Sequence, residues 1–166
     1  MKIRLAIFFC LVGLFCFGQS DSLPIANKKV LEYVSTQIGK KVKTGECFYL
    51  VKGALDIATP GWDKRQKKKK LFSRTHEYVY GKEIKQKNLC AGDIVFYEWE
   101  YLINKGKRGD SHVCIVYSID KNGKIKVAEQ NTGLTLKKSI VEIHDFDPTG
   151  VALEIKIYRL RFYRPY

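Results

Sequence analysis

The hydrophobic period changes near residue 92, and this change restricts the fold more than any other feature of the chain. Before it, apolar residues recur at helical spacing: Ile25, Val30, Leu31, Val34 and Ile38, then Cys47, Leu50, Val51, Ala54, Leu55 and Ala58. After it come short β-rich runs, Ile94–Tyr97, Val113–Ile119, Ile125–Ala128, Leu134–Leu136 and Ile155–Phe162, separated by Gly, Asn and Asp. Helices first and strands afterwards predict an α+β domain, with N-terminal helices packed on a mainly antiparallel sheet of five to six strands.

Residues 1–18 belong to neither pattern. Lys2 and Arg4 precede an almost wholly apolar run from Leu5 to Phe17, and Gly18 supplies a small residue for cleavage before about Gln19. This arrangement reads as a secretory signal peptide, too short for the ~20 apolar residues of a membrane span. The expected product is a secreted or periplasmic chain, residues 19–166, forming one domain. Losing Lys2 and Arg4 takes the net charge from +13 to +11. Such a field draws anionic surfaces without choosing among them. No nucleic-acid partner is expected.

Of the five cysteines, Cys10 and Cys16 leave with the signal, and Cys47, Cys90 and Cys114 remain. An odd number in an oxidising compartment leaves at least one thiol unpaired, and a Cys47–Cys114 bridge is one conceivable pairing. No His/Cys set has zinc-ligand spacing, so neither a metal nor another cofactor is expected.

The second helix is predicted to start at Thr44 as N-cap and to close at Thr59-Pro60-Gly61. Cys47 then lies in its first turn, where the helix dipole favours a thiolate and unpaired N–H groups are at hand for an oxyanion. On helix pattern alone, Cys47 reads equally as a small core residue. The hairpin around Asp120-Lys121-Asn122-Gly123 adds the chemistry.

Asn-Gly suits the positive φ angles of a two-residue type I′ turn. That turn would set Cys114 opposite Asn131 and Val116 opposite Glu129, while a four-residue loop would set His112 opposite Asn131. Either register leaves His112, Glu129 and Asn131 on one face, and a three-residue loop would separate them. A carboxylate on that face needs a partner, and an imidazole oriented by it can take the proton of a thiol. His76, beside the basic loop, and His144, in the acidic loop His144–Pro148, read as ordinary polar residues. Cys114 reads as a packing residue.

Four motifs occur in an order that resembles the CHAP amidase/peptidase domains of the NlpC/P60 group, which have a papain-like fold. They are Gly45-Glu46-Cys47, Ala91-Gly92-Asp93-Ile94-Val95-Phe96, His112-Val113-Cys114-Ile115-Val116 and Glu129-Gln130-Asn131. The resemblance implies Cys47 as nucleophile, His112 as general base, Glu129 as its orienting group and Asn131 as a supporting polar residue. It also implies an amidase or endopeptidase acting on peptidoglycan or muropeptides through a thioester; the expected state is a monomer without cofactor. Two alternatives share the scaffold: a catalytically silent basic binding module, and an exported toxin that cleaves protein.

The basic stretch from Trp62 to Asn88 is the least patterned part of the chain. Its run Lys67, Lys68, Lys69 and Lys70 reads as a solvated loop, with contact to an anionic surface as the sharper alternative.

Overall fold

The computed structural model describes residues 23–65, 78–103, 106–131, 139–147 and 156–166. The expected signal peptide, His76, the run Lys67–Lys70 and the Leu134–Leu136 run lie outside the described residues.

Two helices lead the described chain, α1 (Ile25–Gln37) and α2 (Cys47–Ala58). Each follows its apolar stripe: α1 buries Val30 and Val34, and α2 buries Leu50, Val51, Ala54, Leu55 and Ala58. The stripe of α2 packs against strand β3, and fully burying one such Leu or Val contributes roughly 1.5–3 kcal/mol. Thr44 does not cap α2. Lys43 and Gly45 have positive φ (50° and 91°), so the chain turns again after Thr44 and Glu46 takes the N-cap position without a side-chain cap. Cys47 is therefore the first helical residue.

The strands are β1 (Lys82–Ile84), β2 (Ile94–Ile103), β3 (Gly106–Ile119), β4 (Ile125–Glu129), β5 (Glu142–Asp145) and β6 (Lys156–Arg164). They form one six-stranded antiparallel sheet in the order β1-β6-β2-β3-β4-β5. The class is α+β, as the change of period implies.

Alternation divides the sheet between two apolar clusters. Ile94, Phe96, Val113, Ile115 and Ala128 meet the helices, with Trp62, Tyr80 and Tyr163. Val95, Tyr97, Cys114, Val116, Val127 and Phe162 form a second cluster, joined by Phe146.

The hairpin between β3 and β4 departs from the expected turn. Ile119 pairs with Ile125, and residues 120–124 form a loop in which Gly123 alone has positive φ (81°). The Asp120 carboxylate accepts the N–H groups of Asn122 and Lys124, both at 2.8 Å. Asn122 thus stays out of the left-handed region that a type I′ turn requires. A loop with an odd number of residues would reverse the side chains beyond it, yet a bulge between Val116 and Ser118 reverses them again. From there Val116 pairs with Val127 and Ile115 with Ala128. Continued outward, this is the register of the four-residue loop.

Two strands escape the periodic reading. β1 is short and mostly exposed, and β5 carries Glu142, His144 and Asp145, so neither shows apolar alternation. His144 and Asp145, expected in a loop, belong to β5 at the sheet edge. β3 also begins before His112, because Glu98–Ile103 and Gly106–Ser111 extend the β2–β3 ladder.

Candidate active site

Three adjacent strands and one helix start build the site. His112 on β3 is buried, and its Nε2 lies 2.6 Å from Glu129 Oε2 at the end of β4. With Nε2 occupied by the carboxylate, Nδ1 is the ring nitrogen left for the thiol. Cys47 hydrogen-bonds the His112 side chain and receives the backbone N–H groups of Val113 and Phe48.

The register explains how a helix residue reaches that sulfur position. Val116 N–H donates to the Asp93 backbone carbonyl just before β2, so by alternation Val113 N–H points to the β4 side. The β3–β4 ladder ends at Ile115–Ala128, two residues short of Val113. Cys47 fills the place where the ladder stops and takes the next outward N–H.

The charges reinforce one another. Burial by itself would raise the Cys47 pKa, but the His112 charge, its hydrogen bond and the two N–H groups bring it below the ordinary thiol value. Burial opposes charge on His112 as well, and there Cys47 and Glu129 prevail and raise its pKa. Glu129, although buried, is held down to about 2 by hydrogen bonds from His112 and His144. These shifts favour a thiolate beside an imidazolium, with an ionised carboxylate behind it.

All three described cysteines are free thiols, so no Cys47–Cys114 bridge forms. Burial raises Cys114 well above the ordinary thiol range, and it raises Cys90 to about 11. Neither shares the thiolate chemistry of Cys47. Cys90 belongs to a separate polar knot with Asn27, Asp93 and Arg164. There Asn27 Nδ2 donates to Asp93 Oδ1 at 2.8 Å, and Arg164 Nη2 lies 3.0 Å from Asp93 Oδ2.

Asn131 is not drawn into the array. Its φ of 61° turns the chain out of β4, its side chain is exposed, and among the described residues no hydrogen bond joins it to His112 or Glu129.

Two residues were missed by the sequence reading. Gln130 is fully buried; its Oε1 accepts Val42 N–H at 3.1 Å, while its Nε2 donates to Val42 O at 3.2 Å and Glu46 O at 2.6 Å. It ties the loop that delivers Cys47 to the strand that delivers Glu129. The apolar Val127-Ala128 ahead of it gave a faint signal, since an uncharged amide at the end of a buried strand needs partners elsewhere. His144, read as an ordinary polar residue, hydrogen-bonds Glu129 Oε1 through Nε2. Its signal was hidden because β5 has no strand-like pattern.

The arrangement contains the groups that nucleophilic substitution at a carbonyl uses: a lowered thiol, a proton carrier and a carboxylate bonded to it. Comparison of the chain with protein-family models, with curated proteins and with solved structures finds no match in any of them.

Proposed function

We propose that this chain is an exported cysteine hydrolase of papain-like fold and CHAP type, acting as a monomer on amide bonds of peptidoglycan. The observation that carries the reading is the hydrogen-bonded series Cys47, His112, Glu129 at the start of α2. Export rests on the residue 1–18 pattern, and the cell-wall substrate rests on the four ordered motifs.

The Cys47 thiolate attacks the amide carbonyl carbon and forms a tetrahedral oxyanion. The Cys47 N–H, at the helix start and without an intrahelical acceptor, is a suitable donor to it. His112 gives its proton to the leaving nitrogen, the C–N bond breaks, and a thioester remains on Cys47. Neutral His112 then removes a proton from water, the hydroxide attacks the thioester, and the C–S bond breaks to leave the thiolate beside protonated His112 and a carboxylic acid that loses its proton to solvent. Glu129 keeps the imidazole oriented through both halves.

The test is incubation of the purified, reduced protein with peptidoglycan, followed by fragment analysis. New amine or amino-terminal groups, absent with Cys47→Ala, are expected. A folded protein that releases none refutes the cell-wall reading, and cleavage of proteins alone would replace the substrate while keeping the chemistry.

A further inference from the structure

The orienting carboxylate has two partners, and the chemistry above uses only one. β5 pairs with β4 so that His144 faces Val127 and Glu142 faces Glu129. Side chains two residues apart share a face, so His144 is diagonal to Glu129. Across β3, β4 and β5 this sets His112, Glu129 and His144 in a row. The two Glu129 oxygens are divided between the rings: Oε2 meets His112 Nε2, and Oε1 meets His144 Nε2. The exposures differ along the row, with side chains 5% exposed at His112, 9% at Glu129 and 37% at His144. Among the described residues no group of three His, Cys, Asp or Glu side chains is arranged to hold a metal ion, so the row is read as a hydrogen-bond chain.

From this geometry we infer that His144 is a positioning residue for the reaction: it anchors Glu129 Oε1 and thereby fixes Oε2 against His112. The inference rests on Cys47, His112 and Glu129 being the reacting series. A carboxylate at a strand end turns easily about its terminal torsion, and one bond to His112 does not fix that rotation. A second donor on the other oxygen does, as outer partners do for orienting groups in other sites. Both the neutral ring and the imidazolium can donate from Nε2, so the anchor survives titration of His144. The charged groups around His144 are Glu129 on β4, His112 on β3, and Glu142 on its own strand. Asp145, also on β5, is paired with Lys124 and faces Lys126.

The experiment compares His144→Ala and His144→Gln, each alone and combined with Glu129→Gln. The first readout is the pH dependence of Cys47 alkylation by iodoacetamide, followed by mass spectrometry of the Cys47 peptide, which needs no substrate. The second is kcat and KM on peptidoglycan. His144→Ala should move the alkylation midpoint to higher pH and lower kcat roughly tenfold with KM unchanged, the scale of one hydrogen bond to a charged group. His144→Gln, whose amide donates from a similar reach, should recover most of the loss. In the Glu129→Gln background, His144→Ala should add little. If His144→Ala melts early, His144→Thr, suited to an edge strand, replaces it.

A wild-type alkylation profile in the folded Ala or Thr variant overturns the inference. So does a Gln variant as impaired as Ala, or a full His144 effect that persists without the Glu129 carboxylate. If the wild-type protein leaves peptidoglycan intact, the proposed substrate fails, and the alkylation series still decides the role of His144.

Discussion

Gln130→Met replaces the buried amide with an apolar side chain of similar length, so little cavity is added and the loss reports hydrogen bonding. Three bonds disappear, but they are not equal. Val42 O keeps the N–H of Gly45 at 3.0 Å, and Glu46 O keeps that of Tyr49 at 3.0 Å. Val42 N–H loses its acceptor. One orphaned donor costs about 1–3 kcal/mol and each of the two lost bonds about 0.5–1 kcal/mol, which together give ~3 kcal/mol. For a chain of this size that corresponds to a fall in Tm of roughly 6–12 °C. Calorimetry measures it, and alkylation of Cys47 in the folded variant should slow because the Glu46 carbonyl beside it is no longer tethered to β4. A Tm within about 2 °C of wild type, with unchanged alkylation, would refute the claim that this amide joins the two halves of the site.

Iodoacetamide at neutral pH should label Cys47 before Cys90 and Cys114, as peptide mass spectrometry would read, because only the Cys47 pKa lies below the ordinary thiol value. The labelling rate should fall as pH drops through the lowered Cys47 pKa, and kcat should fall at high pH as the raised His112 loses its proton. Glu129 has a depressed pKa, so its stabilisation is complete above the ordinary ~4.3 and is lost as pH falls through about 2. Urea titrations across that range should show this loss, and Glu129→Gln should flatten it. Gly45→Ala should destabilise by about 1–3 kcal/mol, visible as a lower urea midpoint. Its Cβ would lie 2.3 Å from Ser139 Cβ, and φ is +91° there.

Much of the frame was legible because the helices and the central strands carry strong periodic signals. The stripe from Leu50 to Ala58 places Cys47 correctly at a helix start, even though Thr44 misleads as a cap. A cap is a matter of one φ angle, and Lys43 and Gly45 override the side-chain preference. The shared face of His112 and Glu129 was legible for a less secure reason. The turn is not the one that Asn122-Gly123 suggests, and the bulge beside Tyr117 corrects the resulting offset. Nothing in the residue types around Val116–Ser118 announces a bulge. His144 and Gln130 stayed hidden because their partners come from other strands or loops, which only the folded pairing brings near.

That bulge makes Tyr117 a register-setting residue of the hairpin. Deleting Tyr117 alone would force a one-residue slip on one side of the bulge, and a slip on the outer side would turn Glu129 toward the helices and away from His112, whereas extra residues within the 120–124 loop leave the pairing of Ile119 with Ile125 unchanged. Insertions that retain the His112–Glu129 pair therefore belong in the loop and not between Val116 and Ser118. One residue outside the Cys47, His112 and Glu129 series thus decides, by its presence alone, which way the carboxylate faces.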